Sequence, residues 1–599
     1  MADAAADQEA GVLDVDNYTK DGTVDWKGNA VLRSKTGRWK ACSFILGYEL
    51  IERMMFNGIA ANLIIYLTTK LNQGTLTASN NVTNWTGTVW IMPILGAYVA
   101  DAHLGRYRTF FISSLVCFMA MSLLTLTVSI PSLKPPPCST AISKENCKQA
   151  SKLQLAMFFG SLYLLAIASG GTKPNISTMG ADQFDDFDPK EKAQKLSFFN
   201  WWLFSVFSGI LFASTILVYI QDNVGWSLGY GIPTIGLGVA ILIFVVGTPF
   251  YRHKLPSGSP FIKMANVIVA ATWNWRLPLP NDPNQLYELD LQHYSKNGTF
   301  KIDSTPSLRF LNKAALRGVS SDPWRICTVT EVEETKQMVR MIPIMVCTFL
   351  PSTMVAQSHT LFIKQGTTLD RSIGSHFKVP PASLYAFVTI SMLLTILIYD
   401  RIFVKIMQRV TKNPRGITML QRMGIGMICH VLVMTVASQV EKHRLHIAAK
   451  YGSSAEVQKE LPLTIFILLP QFILTGVADA FLQIASNEFF YDQAPENMKS
   501  LGSSYFMTSL GIGNFLSSFI LSKVSEITKR QGNGWILNNL NASHLDYFYA
   551  LLAVMSSVNL FIFLLISKFY IYKAEVSDSI QVLTDELKKK KSKGLQQTG

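Results

Sequence analysis

Residues 47–58 read GYELIERMMFNG and lie within an apolar segment that is long enough to cross a membrane. Three ionisable side chains, Glu49, Glu52 and Arg53, interrupt this segment within five residues. On a helix they stand at i, i+3 and i+4 and therefore share one face. An isolated charge at mid-membrane costs about 2.5–3.5 kcal/mol on insertion scales. The sequence therefore predicts that this face lines a protein interior or a water-filled path.

Two acids and one base leave one negative charge on this helix without a partner. The spare carboxylate needs either a proton or a cation from another span, and Lys173 in the fourth apolar segment is the candidate cation. Gly170 and Gly171 allow a close helix approach there, and Pro174 removes a backbone donor. The structural alternatives are a static ion-pair cluster that fixes helix packing and a lysine that reaches a membrane face.

The composition places the chain among polytopic membrane proteins. Of its 599 residues, 49% are hydrophobic and only 16% are charged, whereas soluble domains carry about 25% charged residues. The net charge of +14 indicates basic cytosolic loops. Nucleic-acid binding is not expected, because no basic stripe with interleaved aromatics is present. Motifs of hydrolases and nucleotide-binding enzymes are missing, as is zinc-type cysteine spacing. We therefore expect neither an enzyme nor a metal, and no cofactor other than a coupling proton.

Hydropathy predicts an all-α membrane protein with twelve transmembrane helices in two six-helix bundles. The bundles occupy residues 42–250 and 336–573. A cytosolic segment (1–41) precedes them, a long cytosolic linker (251–335) joins them, and a basic cytosolic tail (574–599) follows. Residues 259–275 of the linker read SPFIKMANVIVAATWNW and predict either an amphipathic helix on the membrane surface or an ordinary linker helix.

The basic clusters HLGRYRT (103–109), DPKEKAQK (188–195) and ELKKKKSKG (586–594) place both termini in the cytosol. The sequons at Asn81 and Asn541 then fall in outer loops, where glycosylation is expected, and the sequon at Asn297 falls inside. Cys138 and Cys147 bracket one polar loop. They are a candidate disulfide if that loop is extracytosolic, with two free thiols as the alternative.

The second half of the chain also carries ionisable residues within apolar segments. Asp479 lies in the tenth span, and His430 lies in the ninth. An intramembrane acid is a candidate functional site. His430 could relay protons, but a lone histidine on an apolar segment is more often a packing residue.

Several motifs together identify a family. They are ELIER (49–53), NNVTNWTGT (80–88), LGAYVADAHLGRYRT (95–109), GGTKPNISTMGADQFD (170–185), FFNWW (198–202) and NEFFYDQAPENMKSLGSS (487–504), with NYTKDGTVDWKGN (17–29) near the start. In these motifs the chain resembles the plant nitrate and peptide transporter family. That family is a branch of the proton-dependent oligopeptide transporters within the major facilitator superfamily. The resemblance is greatest to the stress-linked peptide transporters of the fifth plant subfamily.

The resemblance implies two bundles that expose a central site alternately to either side. It implies that Glu49, Glu52 and Arg53 form the proton site, and that Lys173 pairs with them and meets the anionic part of the substrate. Asp479 stands where the family usually has Glu to meet the substrate's amino end. This substitution keeps the charge and shortens the side chain by one methylene.

The same resemblance implies gating and regulatory residues at the cytosolic side. DAHLGRYR matches the superfamily's cytosolic loop motif, so Asp101, Gly105 and Arg106 are expected to serve the inner gate. Thr109 matches a phosphorylated threonine of a plant nitrate carrier, which implies a kinase at the cytosolic face. The alternative is an ordinary threonine at the start of a helix.

The chain departs from the family at the positions that recognise substrate. Phe56 and Asn57 replace residues of a tyrosine-rich motif of bacterial peptide carriers. Phe207 and Thr389 replace two asparagines, and Val355 replaces a nitrate-binding histidine. The resemblance therefore implies a conserved proton site and a more apolar substrate cavity.

We accordingly expect a proton-coupled symporter of short peptides or similar small charged organic solutes. Transport of nitrate, a hormone or a glycosylated metabolite is the alternative within the family, and a nutrient sensor with little flux is the alternative from another class. The partners expected are a small-molecule substrate, the proton and the lipid bilayer, in a monomer or weak homodimer. No acidic dileucine signal is evident, which favours the plasma membrane over the vacuolar membrane.

Overall fold

The computed structural model is almost entirely helical. It describes residues 18–19, 22–136, 148–185, 187–254, 258, 260–280, 282, 285–290, 294, 301–317, 324–375, 377–411, 416–451, 460–495, 498–532, 534–570 and 572. The candidate disulfide Cys138–Cys147 and the sequon at Asn297 lie outside these residues.

Six long helices form the first half of the chain, and two of them continue as π-helical turns. They are α1 (Arg38–Thr69), α2 (Thr75–Val99, then Ala100–Leu104), α3 (Arg106–Ser129), α4 (Lys152–Ala181), α5 (Pro189–Phe212, then Ala213–Leu217 and Ile220–Val224) and α6 (Trp226–Val246).

The described residues after Val246 add nine α-helices and four short strands. The helices are α7 (Pro260–Trp273), α8 (Val329–Ser358), α9 (Leu361–Gly366), α10 (Tyr385–Ile398, then a π-helical turn Tyr399–Phe403), α11 (Val404–Thr411), α12 (Met419–Lys450), α13 (Leu469–Gln493), α14 (Lys499–Arg530) and α15 (Leu545–Lys568). The strands are β1 (Leu369–Asp370), β2 (Ser372–Ile373), β3 (Phe377–Lys378) and β4 (Leu461–Thr464). Strands β1 and β4 pair in parallel, and β2 and β3 pair antiparallel.

Local sequence explains where several helices begin. Ser151 and Gln154 form a capping box at the start of α4, and Thr418 and Gln421 do so at the start of α12. Gly105 separates α2 from α3 with a φ of 77°, a left-handed conformation that glycine adopts without steric cost.

Ten helices within the described parts of the chain are long and apolar enough to cross a membrane. The chain is therefore a multi-pass membrane protein. Helices α2 and α14 occupy two further predicted spans but are not among the ten. Helix α2 begins at Thr75, so Asn81 lies on a helix, where it donates a hydrogen bond to Gln73. The expectation that this sequon sits in a loop is therefore wrong.

The larger of two compact units comprises residues 1–257, 348–485 and 507–561. Within it α1 packs against α5 and α6, and α4 packs against α2 and α3. The predicted close approach at the paired glycines of α4 is confirmed, because a Cβ at Gly170 would lie 2.7 Å from the backbone oxygen of Met92. One apolar core fills the first half and a second fills the later helices of this unit.

The smaller unit comprises residues 258–347, 486–506 and 562–599. Part of it is a folded linker. Helix α7 buries Val267, Ala270 and Ala271 against the 3₁₀ helix Arg309–Ala315, in a cluster that includes Leu286 and Val332. Residues 260–273 are therefore helical, as the sequence predicts, and one face of the helix is occupied by the linker itself.

Candidate functional site

The charged residues of α1 form one connected cluster. The Arg53 guanidinium lies 2.6 Å from Glu49 and 3.6 Å from Glu52, and both carboxylates are almost completely buried. Among the described residues, Glu52 Oε2 accepts no hydrogen bond. The structure therefore brings together the three residues that the sequence placed on one face. Glu49 is the paired acid and Glu52 is the spare one.

Lys173 on α4 is buried and faces aromatic rings. Its ammonium lies 3.5 Å from the ring centroid of Phe56 and 4.8 Å from that of Trp90. No hydrogen bond to this ammonium occurs within the described residues. Cation–π attraction reaches about 2 kcal/mol or more in desolvated sites. Lys173 is thus held by π faces and keeps its three N–H donors for another acceptor.

Phe56 links these two groups. It lies four residues after Glu52, and therefore one turn further along the same face of α1. Its ring also packs 5.5 Å from that of Trp85. The sequence identified Phe56 only as a departure from the bacterial motif. Its contact with Lys173, and that of Trp90, were missed because an aromatic residue on a membrane helix usually faces lipid or core.

The remaining departures occupy different surroundings. Asn57 donates a hydrogen bond to the Arg53 carbonyl at 2.9 Å, within its own helix. Phe207 and Val355 are half-buried, and Thr389 is 4% exposed. Within the described residues, none of the three contacts Lys173 through a hydrogen bond or ion pair. The structure therefore places Phe207, Val355 and Thr389 on helices but does not by itself assign them a role in substrate binding.

Asp479 on α13 faces His430 on α12. The distance from His430 Nε2 to Asp479 Oδ1 is 3.5 Å, and the two side chains are 1% and 3% exposed. From the sequence alone, a packing role was favoured for His430 over a proton relay. Among the described residues, the structure places the His430 imidazole beside this buried acid, a relation that spacing along α12 alone does not reveal.

A second cluster of charged residues lies where the short connection between α2 and α3 meets the end of α4. Arg106 lies 2.5 Å from Asp182 and 3.7 Å from Asp101, and Lys254 lies 3.4 Å from Asp182. The predicted gate residues Asp101 and Arg106 are therefore brought together by Gly105. Asp182, which follows α4, is the central acid of this cluster, and the sequence did not single it out.

Ion pairs with buried carboxylates hold the segment before α1 at the side of the molecule where Arg106 and Asp182 lie. Glu191 accepts hydrogen bonds from Arg252 at 2.7 Å and from Arg38 at 2.8 Å, and Arg252 is fully buried. Arg33 binds Asp185 at 2.6 Å. Burial lowers the pKa of the nearby His253 imidazole. These contacts attach residues 33–38 to the ends of α4, α5 and α6.

Thr109 lies in the first turn of α3, three residues after Arg106, and is 5% exposed. Its hydroxyl has no hydrogen-bond partner among the described residues. A Cβ at Gly171 would lie 3.4 Å from its methyl group. A kinase could therefore reach this side chain only after α3 and α4 separate locally.

The opposite ends of the helices are joined across the two halves of the larger unit. Asp222 lies 3.3 Å from Arg371, and Lys364 donates to the Thr68 hydroxyl at 3.0 Å. In the middle of α2 and α14 the backbones nearly touch, because a Cβ on Gly87 would lie 3.0 Å from the Gly511 carbonyl oxygen. The Asp222–Arg371 and Thr68–Lys364 contacts therefore join the two halves at the helix ends away from Arg106.

Comparison with known proteins gives a consistent result. The model of the PTR2 family, described as the POT family, matches residues 107–537. NRT1/PTR FAMILY 5.2 of Arabidopsis thaliana is 62% identical over 96% of this chain and 98% of its own length. NRT1/PTR FAMILY 5.3 of the same plant is 61% identical over 95% and 97%.

Solved structures show the same fold at low identity. An auto-inhibited POT family peptide transporter has a TM-score of 0.66 at 19% identity, covering 90% of this chain and 98% of its own. The POT family transporter PepTSo has a TM-score of 0.65 at 20% identity, covering 88% and 98%.

Proposed function

The chain belongs to the POT family of membrane transporters, and on that premise we propose that it is a proton-coupled symporter of short peptides or similar small charged organic solutes. The family is made up of transporters and not of enzymes. General transport across a membrane follows from family membership, whereas the substrate and the proton are our proposal. We place the protein in the plasma membrane, with both termini in the cytosol.

The proposed architecture has twelve membrane spans in two six-helix bundles. The ten apolar helices supply most of these spans, and α2 and α14 supply the other two. Gly87 of α2 and Gly511 of α14 meet where the two bundles contact each other, which supports an interior position for both helices. A helix that faces protein needs less apolar surface than one that faces lipid. The linker between the bundles carries α7.

The observation that carries the proposal is the buried charge set on α1 and α4. Glu52 is an acid without a hydrogen-bonded partner at Oε2, and Lys173 is a cation without one. One helical turn separates Glu52 from the ring that covers Lys173. Because buried unpaired charges are costly, a proton on Glu52 and an anion at Lys173 stabilise the site together. Proton and substrate then bind cooperatively, and alternating access moves both.

The proton gradient is strong enough for this task. One proton moving down about 100 mV gains about 2.3 kcal/mol, and one pH unit adds about 1.4 kcal/mol. Together these free energies correspond to a concentration ratio of roughly a few hundred-fold for a neutral substrate.

The charges also favour a class of substrate. Lys173 is a cation in the first half and Asp479 is an acid in the second. A zwitterion, with a carboxylate toward Lys173 and an ammonium toward Asp479, neutralises both. Nitrate neutralises only the lysine. A POT family transporter of 15% identity has been crystallised in complex with 5-aminolevulinic acid, another molecule with both groups. Short peptides and similar zwitterions therefore rank above nitrate in our proposal.

An uptake panel tests the function directly. Oocytes that express the protein are exposed at acidic pH to a dipeptide with apolar side chains, its N-acetylated analogue, or nitrate, and proton currents are recorded together with tracer uptake. We expect current and uptake with the dipeptide and less of both with the analogue. Nitrate currents without dipeptide uptake would reverse the ranking, and saturable binding without flux of any ligand would favour a sensor.

A further inference from the structure

Two buried ionisable side chains in the second half of the chain face each other and little else. His430 is 1% exposed and Asp479 is 2% exposed. Neither imidazole nitrogen, nor Asp479 Oδ1, makes a hydrogen bond to a residue that the structure describes. Among the described residues, the close polar approach to this pair is the 3.5 Å separation of Nε2 and Oδ1. Buried polar atoms without partners are rare in proteins, which singles this pair out as a candidate functional site.

The neighbouring titratable groups do not neutralise this pair. Tyr385 on α10 lies near enough to Asp479 to experience its charge, and the His359 ring packs 4.4 Å from that of Tyr385. Arg422 lies two turns before His430 on α12, about 12 Å along the helix axis. Its guanidinium donates to the Ala480 carbonyl at 3.1 Å and covers the Tyr399 ring at 4.2 Å. Tyr385 and His359 add no fixed charge, and the Arg422 guanidinium contacts the Ala480 carbonyl, one residue after Asp479, and the Tyr399 ring.

We propose that His430 and Asp479 bind one proton as a unit, and that this proton competes with the amino group of the substrate. This inference rests on the proposed transport of amine-bearing zwitterions. With neutral imidazole and ionised carboxylate the pair carries one negative charge and attracts an ammonium. With one added proton, on the imidazole or on the carboxylate, the pair is neutral overall. An arriving ammonium then has no net charge to meet.

The exchange balances in protons and charge. When the substrate ammonium reaches Asp479, the pair releases its proton to water in the transport path, and the total charge of the site is unchanged. A substrate without an ammonium group neither needs nor causes this release. His430 is therefore a specificity-determining residue, because acidic pH weakens binding of amine-bearing substrates relative to amine-blocked ones. This effect opposes the proton uptake assigned to Glu52 and acts in the other half of the molecule.

The competition predicts a steep pH dependence of binding. Below the pH at which the pair takes up its proton, the dissociation constant of an amine-bearing ligand rises by up to about tenfold per pH unit. The dissociation constant of the N-acetylated ligand does not show this rise, because that ligand carries no ammonium group. Replacing His430 by Gln removes the imidazole and its proton while leaving an uncharged polar side chain. We expect that in His430→Gln the ratio of the two ligands' dissociation constants no longer changes with pH.

The experiment uses the purified full-length protein in detergent, with an apolar dipeptide and its N-acetylated form as probes. Titration calorimetry in buffers of different ionisation enthalpy gives both the dissociation constant and the number of protons exchanged. In acidic solution we expect the dipeptide to release up to one more proton per molecule bound than the acetylated form. This comparison within the wild type removes the contribution of Glu52, which both ligands share.

His430→Gln should abolish that difference, and His443→Gln, an exposed histidine on the same helix, should keep it. Equal proton exchange for the two ligands in the wild type would overturn the pair's role, even if His430→Gln does not fold. A difference that survives in a folded His430→Gln variant would also overturn it. If the wild type binds neither ligand, the proposed substrate class itself fails, and the amine competition fails with it.

Discussion

The most informative perturbation is Glu52→Gln, because it changes one charge of the α1 cluster and almost no volume. Glu49 is bound to Arg53 at 2.6 Å, so Glu52, at 3.6 Å and with one unbonded oxygen, is the surplus acid. In the proposed mechanism this surplus charge binds the coupled proton. Glutamine resembles the protonated acid and cannot release a proton, so the transport cycle should continue without coupling.

The expected accumulation of substrate follows from the free energy of the proton gradient. In proteoliposomes with about 100 mV and one pH unit, the wild type should accumulate a zwitterionic dipeptide by roughly a few hundred-fold. Glu52→Gln should reach an internal concentration about equal to the external one. Counterflow exchange at equal pH and zero potential needs no proton movement, and it should stay within a few-fold of the wild type.

Two further variants make the assignment specific. Glu526→Gln removes an exposed acid that is 3.0 Å from Lys523 and should accumulate substrate normally. Glu49→Gln leaves Arg53 without its 2.6 Å partner, and losing one member of a buried pair costs about 3–5 kcal/mol. We therefore expect Glu49→Gln to lower the unfolding temperature more than Glu52→Gln does. Concentrative uptake by Glu52→Gln, or loss of counterflow in a stably folded Glu52→Gln protein, would refute the charge assignment.

Three other predictions concern the contacts around the site. Phe56→Leu removes one π face from Lys173 and should cost about 1–2 kcal/mol of stability; thermal unfolding of the ligand-free protein measures this, and an unchanged midpoint would contradict it. Glu191→Gln leaves the buried Arg252 without its anion and should cost about 3–5 kcal/mol, again measured by thermal unfolding, with Glu526→Gln as the exposed control. Arg371→Gln removes the ion pair with Asp222 and should raise the rate at which a Thr68→Cys thiol is labelled from outside by up to about fivefold, the equivalent of about 1 kcal/mol; an unchanged rate would show that this pair does not hold the outer end closed.

Much of the candidate site was visible in the sequence because its chemistry is local. Glu49, Glu52 and Arg53 share a helical face by their spacing alone, and an apolar segment makes three charges there exceptional. Gly105 was expected at the inner gate only through the resemblance to the superfamily loop motif, and the structure places it at the turn between α2 and α3. Asn81 is an exception, because it lies on α2 and not in the outer loop expected from the sequence.

Other features of the candidate site depend on which faces of the helices pack against each other. The partners of Lys173 are the rings of Phe56 and Trp90, which lie on α1 and α2, and no spacing within α4 indicates them. Asp182 became the centre of the inner cluster because the ends of α2, α3 and α4 meet there. Likewise, the pairing of His430 with Asp479 requires α12 and α13 to present those two positions to each other.

The sequence by itself determined that this is a multi-pass membrane protein with charged residues inside its apolar segments, because hydropathy and intramembrane charge are properties of single segments. Only the tertiary structure decided which charge is paired and which is spare. A charge inside a membrane protein is stabilised by whatever lies within a few ångströms, and those neighbours come from other helices. Glu52, Lys173 and Asp479 are functional candidates because packing leaves each of them with an atom that no described residue satisfies.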